Sequence, residues 1–227
     1  MNSFRAPSTV LLTSDWHLGA IGSDTALIRR EIAAHESFAL IGDVFDAIAP
    51  GDKRYDSDMV DPRCLNSNPL GSALDIAREI ILPYRDRCLF ISSGNHERYA
   101  QRLYHVDLIA ELSKSLNIPY LPYAGVVKIN DVRLGYWHGH GHGVNVLRQS
   151  QQLLAAYEGV DIVWTGHRHQ RVVSTCCRIR SSRLRRIWLA QSGAYLNWIG
   201  YPMERMLAPS DKGGLTCELN PLRISIC

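Results

Sequence analysis

The feature that most constrains this chain is a rhythm. Five short apolar runs are each stopped by a cluster of acidic, amide or imidazole side chains. Thr9-Val10-Leu11-Leu12 runs into Ser14-Asp15-Trp16-His17, and Phe38-Ala39-Leu40-Ile41 into Gly42-Asp43-Val44-Phe45-Asp46. Leu89-Phe90-Ile91 leads to Gly94-Asn95-His96-Glu97, and the run from Val132 to Trp137 leads to His138-Gly139-His140. Ile162-Val163-Trp164 leads to Gly166-His167-Arg168-His169. Runs of this length predict buried strands. Between them lie helical patterns: Asp24 caps a helix through Ala33, Ser72 caps one through Ile81, and 107–116 and 144–157 carry apolar residues at helical spacing. Beyond residue 170 the texture becomes strand-like, over 171–180, 184–190 and two short runs near 215–226, with Ser181-Ser182 as a hairpin turn. The expectation is one α/β domain over 1–227, with strands alternating with helices and then antiparallel strands closing a second sheet.

Composition excludes other classes. With 46% hydrophobic and 21% charged residues in 227, the chain is neither disordered nor a fibrous repeat. Its six cysteines form no CxxC pair, which points to reduced thiols and a cytoplasmic setting. No apolar run approaches the length of a membrane span, so no membrane partner is expected. The net charge of +3 says little, but only four of the 25 cations are lysines. Six arginines (Arg171, Arg178, Arg180, Arg183, Arg185, Arg186) fall between 171 and 186 with no acidic residue among them. A hairpin there is a basic ridge, either solvated or an oligomer contact on one reading, or a seat for a nucleic-acid backbone on another. Residues 49–70 hold three prolines and four aspartates without periodicity, and read as a surface loop or a lid.

The clusters share a chemistry. Each follows a predicted strand, and ligands of open α/β sheets bind at the carboxyl ends of strands. In an extended backbone Asp15-x-His17 and His167-x-His169 each point two side chains to one face. Asp43 and Asn95 add hard oxygen donors and His138 another imidazole; in another register His140 or His142 would stand in for His138. Four imidazoles, two aspartates and an amide are too many for one ion and a natural set for two. Oxygen plus imidazole without thiolate suits Mn, Fe, Zn, Ni or Co. Two such ions roughly 3.5–4 Å apart clamp an in-line displacement at phosphorus. His96, beside Asn95, is placed to assist the leaving oxygen. His140, Arg98 and Tyr99 are candidate substrate contacts, and His142 a surface residue.

In this order, Asp15-x-His17, Gly42-Asp43-x-x-Asp46, Gly94-Asn95-His96-Glu97, His138-Gly139 and Gly166-His167-x-His169 resemble the motifs of the calcineurin-like metallophosphoesterase superfamily, over about two thirds of the chain. The resemblance implies a four-layer α/β/β/α sandwich with a dinuclear metal site at the carboxyl ends of the strands. It implies Asp15, His17, Asp43 and His169 around one metal and Asp43, Asn95, His138 and His167 around the other, with Asp43 bridging and Mn the expected ion. It also implies His96 as the catalytic histidine, oriented by the Asp46 carboxylate. One departure matters. The serine/threonine phosphatase branch continues its second motif as GDxxDRG, but here Ala47-Ile48 follows Asp46, so that branch's phosphate-binding arginine is missing and protein phosphatase activity is disfavoured. The compact length and the His-Gly-His-Gly-His run are more similar to small phosphodiesterases and phage-encoded members. The resulting expectation is a dinuclear phosphodiesterase working by in-line attack of a metal-bridging hydroxide on a phosphate ester, with nucleotides and nucleic acid among the candidate partners. Two rivals remain: a catalytically silent metal-binding scaffold, and a nucleic-acid-binding, nuclease-like protein.

Overall fold

The structure is a computed structural model that describes residues 1–141, 147–180, 182–199, 203, 206 and 212–227, with only the backbone of Arg180. His142, the start of the helix expected from 144 and Ser181 of the expected turn lie outside the described residues. The strands are β1 (Asn2–Phe4), β2 (Thr9–Thr13), β3 (Ser37–Ile41), β4 (Cys88–Ser92), β5 (Tyr120–Leu121), β6 (Ala124–Ile129), β7 (Val132–Trp137), β8 (Ile162–Thr165), β9 (Val172–Arg180), β10 (Arg183–Gln191), β11 (Leu215–Leu219) and β12 (Leu222–Ile226). The helices are α1 (Thr25–Ala34), α2 (Pro69–Ile81), α3 (Asn95–Tyr104), α4 (Leu108–Leu116) and α5 (Arg148–Ala156). Among the described residues no helix is long and apolar enough to cross a membrane.

Two six-stranded sheets form, in the orders β12-β11-β2-β3-β4-β5 and β1-β6-β7-β8-β10-β9. Strands β2 to β5 are mutually parallel, and β7, β8 and β10 run parallel in the other sheet. The apolar runs are continuous rather than alternating because both faces are covered. Val10, Leu12, Ala39, Ile41 and Phe90 meet Leu134, Tyr136, Ile162 and Trp164 between the sheets. The opposite face of the first sheet, Leu11, Phe38 and Leu40, packs on Ile28 and Ile32 of α1 and on α2 and α4. Leu153 and Leu154 of α5 cover the second sheet at Val163, Ile187 and Leu189. The architecture is the expected α/β/β/α sandwich.

Several details differ from the sequence reading. Helix α2 starts at Pro69 rather than Ser72, because the Asn68 side chain accepts the Gly71 N–H and Pro69 occupies the first turn. The C-terminal strands do not build one sheet. Strands β9 and β10 extend the second sheet, whereas β11 pairs with β2, burying Leu215 and Cys217 between the layers. The 49–70 segment is built, not loose. Asp56 and Asp61 cap 3₁₀ turns at Ser57–Met59 and Pro62–Cys64, and Val60 and Cys64 are buried in the helix-side core. The Asp61 N–H donates to the Gly19 carbonyl (2.8 Å) and the Ile21 N–H to that of Met59 (2.9 Å), tying the segment to the loop that follows β2. All six cysteines are free thiols.

Candidate metal centre

Parallel strands ending at one edge bring the five clusters together. Asp15 and Asp43 lie two residues beyond β2 and β3, Asn95 opens α3 after β4, His138 directly follows β7, and His167 follows β8. The paired side chains converge by another route than strand alternation. Asp15, His17, Asp43, His167 and His169 all have left-handed backbone, with φ of 55°, 49°, 48°, 68° and 54°. Such conformations cost about 1–3 kcal/mol each and persist only where the surroundings over-determine them. Here a ladder of loop hydrogen bonds does so: Asp15 N–H to Gly42 O (3.0 Å), His17 N–H to Asp43 O (3.0 Å), and Leu18 N–H to Val44 O (2.9 Å). The His167 N–H donates to the Asp15 carboxylate (3.0 Å to Oδ2), which joins the loops of the two sheets. Gly42 and Gly94 are needed for the close approach. A Cβ on Gly42 would strike the His138 ring, and one on Gly94 would strike the backbone nitrogen and carboxylate of Asp43.

Among the described residues the donors form three groups, each with its ligand atoms within 4.8 Å of one another: Asp15, His17 and His169; His17, Asp46 and His96, which shares His17 with the first; and Asp43, His138 and His167. Nε2 of His17 faces Nε2 of His169 at 3.1 Å, and Nε2 of His138 lies 3.0 Å from Asp43 Oδ2 and 3.2 Å from Asn95 Oδ1. The far nitrogens are occupied by oxygen acceptors. His138 Nδ1–H donates to the Ile41 carbonyl (3.2 Å) and His17 Nδ1–H to Asp46 Oδ1 (3.3 Å), which fixes each ring with Nε2 turned to the cluster. That is a donor set suited to divalent cations: nitrogen and hard oxygen, oriented and largely buried.

The electrostatics show how crowded the site is. Burial alone would raise Asp15 and Asp43, but the neighbouring imidazoles, His138 first, hold both below the usual carboxylate range. Burial would lower His138, yet the Asp43 and Asp15 carboxylates push it up to about 10. Burial, with His138 next to it, pushes His167 down to about 4. Burial likewise lowers His17. A metal-free site at neutral pH is therefore balanced by a protonated His138.

No protein family and no curated protein matches the chain by sequence. Solved structures do match in shape. An archaeal phosphodiesterase aligns with a TM-score of 0.51 and 16% identity, over 96% of this chain and 99% of its own. The E. coli phosphoesterase YfcE aligns at 0.46 and 16%, over 96% and 97%. Vps29 from Entamoeba histolytica, complexed with zinc, aligns at 0.43 and 16%, over 93% and 86%. The chain shares the fold of the archaeal phosphodiesterase.

On this shared fold the remaining candidates are placed unevenly. His96 is half-buried at the rim, and its Nδ1–H donates to the backbone carbonyl of Asp46 (2.6 Å). The Asp46 carboxylate lies 3.6 Å from that nitrogen and closer to His17, so the main chain of Asp46 holds His96 and its side chain holds His17. Arg98 is exposed and stacks over the Tyr123 ring, 4.6 Å from its centroid. His140 is exposed, with its ring 5.1 Å from that of Trp137. Tyr99, one helical turn beyond His96, carries the guanidinium of Arg54 on its face at 4.7 Å.

Two residues of the site had no role in the sequence reading. Glu97 is buried and accepts the backbone N–H groups of Gly94 (2.7 Å), Phe45 (2.9 Å) and Asp43 (3.1 Å), pinning the loop that carries Asp43 to the start of α3. Burial, with Asp43 adding to it, pushes its carboxyl up to about 7. The signal was present: Glu three residues after Gly94 is the spacing of a capping box. Arg54 is the other. A bidentate pair with the buried Asp52 (3.1 and 2.6 Å) and the Tyr99 ring fix it within electrostatic reach of His96 and Asp46. Nothing local marked it, because it comes from the irregular segment after Asp46.

Proposed function

We propose that the protein is a metal-dependent phosphoesterase and that its substrates are phosphodiesters. The observation that carries this reading is the convergence of the Asp15–His17–His169 and Asp43–His138–His167 groups beside His96. Asp15, His17, Asp43 and His169 would hold one divalent cation, and Asp43, Asn95, His138 and His167 a second, with Asp43 shared. Mn is the first ion to supply, ahead of Fe, Zn, Ni or Co. When bound, such ions polarise phosphoryl oxygens and make hydroxide accessible near neutral pH.

The chain's own residues do the rest. Burial would lower the His96 imidazole, but Asp43 and Asp46 raise it above its ordinary value. With Nδ1 anchored on the Asp46 carbonyl, Nε2 is the atom that carries the proton to the leaving oxygen. Arg54 supplies a cation where Ala47-Ile48 leaves none, within electrostatic reach of His96 and Asp46. Its charge is partly cancelled by Asp52, which suits the single negative charge of a diester better than the double charge of a monoester. Arg98, Tyr99 and His140 frame the approach.

The test compares variants on bis(p-nitrophenyl) phosphate and p-nitrophenyl phosphate, with bound metal measured by elemental analysis. His96→Ala keeps its metal and loses roughly 10²–10⁴-fold in diester turnover. Asp43→Ala loses metal as well. Unchanged turnover in His96→Ala removes the acid role, and faster monoester hydrolysis overturns the diester preference. A metal-loaded wild type without turnover leaves the silent scaffold standing.

A further inference from the structure

The antiparallel ribbon of β9 and β10 is longer than the sheet that carries it. Only Trp188–Gln191 of β10 pair with β8, while β9 is the sheet's outermost strand. Arg183–Arg186 therefore project beyond β8 as a two-stranded ribbon of roughly 13 Å at about 3.3 Å per residue. The tip lies at the opposite end of the sheet from the metal centre, roughly 26 Å from Gln191 by the same rise.

The two faces of the ribbon differ. Cys176, Ile187 and Leu189 point to the α5 side, where Arg178 donates to the Leu154 carbonyl (3.5 Å). Strand alternation puts Arg183 and Arg185 on that same face, with Arg185 opposite Arg178. The other face carries Ile179 opposite Leu184, which are 79% and 71% exposed, followed by Arg186 and Trp188. Among the described residues Arg178, Arg183, Arg185 and Arg186 are exposed and none has an acidic partner within ion-pair distance.

We propose that this ribbon docks on double-stranded DNA. An arginine face without a carboxylate to neutralise it is complementary to a row of phosphates, and guanidinium groups pair with phosphate bidentately. A projecting two-stranded ribbon fits the major groove of B-DNA, about 12 Å wide, whereas the major groove of duplex RNA is too narrow. Single strands are held by aromatic stacking, and the ribbon's only aromatic, Trp188, packs against the inter-sheet core. A membrane-inserting hairpin would carry its apolar residues outermost, but here the outermost described pair is Arg180 and Arg183, and the apolar pair Ile179 and Leu184 sits behind it. The surface is independent of the chemistry proposed for the metal centre, because it binds without turnover.

The experiment measures fluorescence anisotropy of a labelled duplex of about 20 base pairs against salt, with the full chain, with and without Mn. A variant carrying Arg178→Gln, Arg183→Gln and Arg185→Gln is compared with a control carrying Arg29→Gln, Arg78→Gln and Arg85→Gln on the helix side. The wild type and the control bind with the same steep salt dependence. The ribbon variant binds more weakly, and its slope of log K against log salt falls by roughly 2–3, about 0.9 per phosphate contact. Equal slopes in the two variants, or no duplex binding by the wild type, overturn the proposal. Tighter ribbon-dependent binding to single-stranded DNA, to anionic vesicles or to polyglutamate also overturns it. Hydrolysis of bis(p-nitrophenyl) phosphate by the same ribbon variant stays at the wild-type rate, so failure here is separable from failure of the metal centre.

Discussion

The second sheet has two ends, and they are built on opposite terms. At the carboxyl end, buried carboxylates and imidazoles are held in left-handed backbone by loop-to-loop hydrogen bonds. At the other end, β9 and β10 run past the sheet with cationic and apolar side chains in solvent. A cluster of like donors repels itself and does not assemble unless the surrounding backbone is over-determined. A docking surface has no such requirement, since exposure is what lets it work. The contrast predicts that substitutions at the first end disturb fold and chemistry together, and that those at the second leave the fold alone.

The largest effect is expected at Gly94. Its backbone is extended, so alanine is tolerated by dihedral angle, but the added Cβ meets the main chain and carboxylate of Asp43. Gly94→Ala should lose about 1–3 kcal/mol of stability from overpacking. Turnover should fall by about 10²-fold, as Asp43 is pushed off its position. Thermal melting and diester hydrolysis check the two halves. A variant as stable and active as wild type would mean that the loop after β3 is far softer than its bracing by Glu97 implies.

This asymmetry also explains what was legible in the sequence. Asp15, Asp43, Asn95, His138 and His167 could be read because each follows a strand, and the strands were visible as runs such as Val10-Leu11-Leu12, buried on both faces. The route by which they converge was not legible. Spacing of two suggested extended strands, but β2 and β8 end before the pairs begin, and left-handed turns do the aiming. Arg54 was hidden for the same reason as the sheet assignment of β11. Both depend on contacts between distant segments, with α3 and with β2, that no local pattern encodes.

A smaller effect concerns the proton on His138. An isolated histidine titrates near 6.5, while the Asp43 and Asp15 carboxylates, acting against burial, push this one up to about 10 in the metal-free protein. A raised imidazole stabilises the fold fully below the unfolded value, and the contribution is lost as pH rises through the folded one. The metal-free protein should therefore melt at progressively lower temperature between about pH 6.5 and 10. A cation between Asp43 and His138 removes the need for that proton, so metal uptake at pH 7 should release it. Calorimetric titration in two buffers of different ionisation enthalpy reads the release directly. Buffer-independent heats would show that His138 is neutral before the metal arrives.

The smallest expected effect is at the ribbon. Ile179 and Leu184 form a cross-strand pair but remain largely in water, so little apolar area is removed from solvent by folding there. Threonine keeps the β-branched shape of Ile179, and Thr opposite Thr is itself a favourable strand pair. Ile179→Thr with Leu184→Thr should therefore shift stability by no more than about 0.5 kcal/mol. A denaturant titration measures this, and the midpoint and slope should both stay put. A loss as large as that expected for Gly94→Ala would mean that the apolar face is covered in solution. The ribbon would then be part of a packed interface, and the contrast between the two ends of the sheet would disappear.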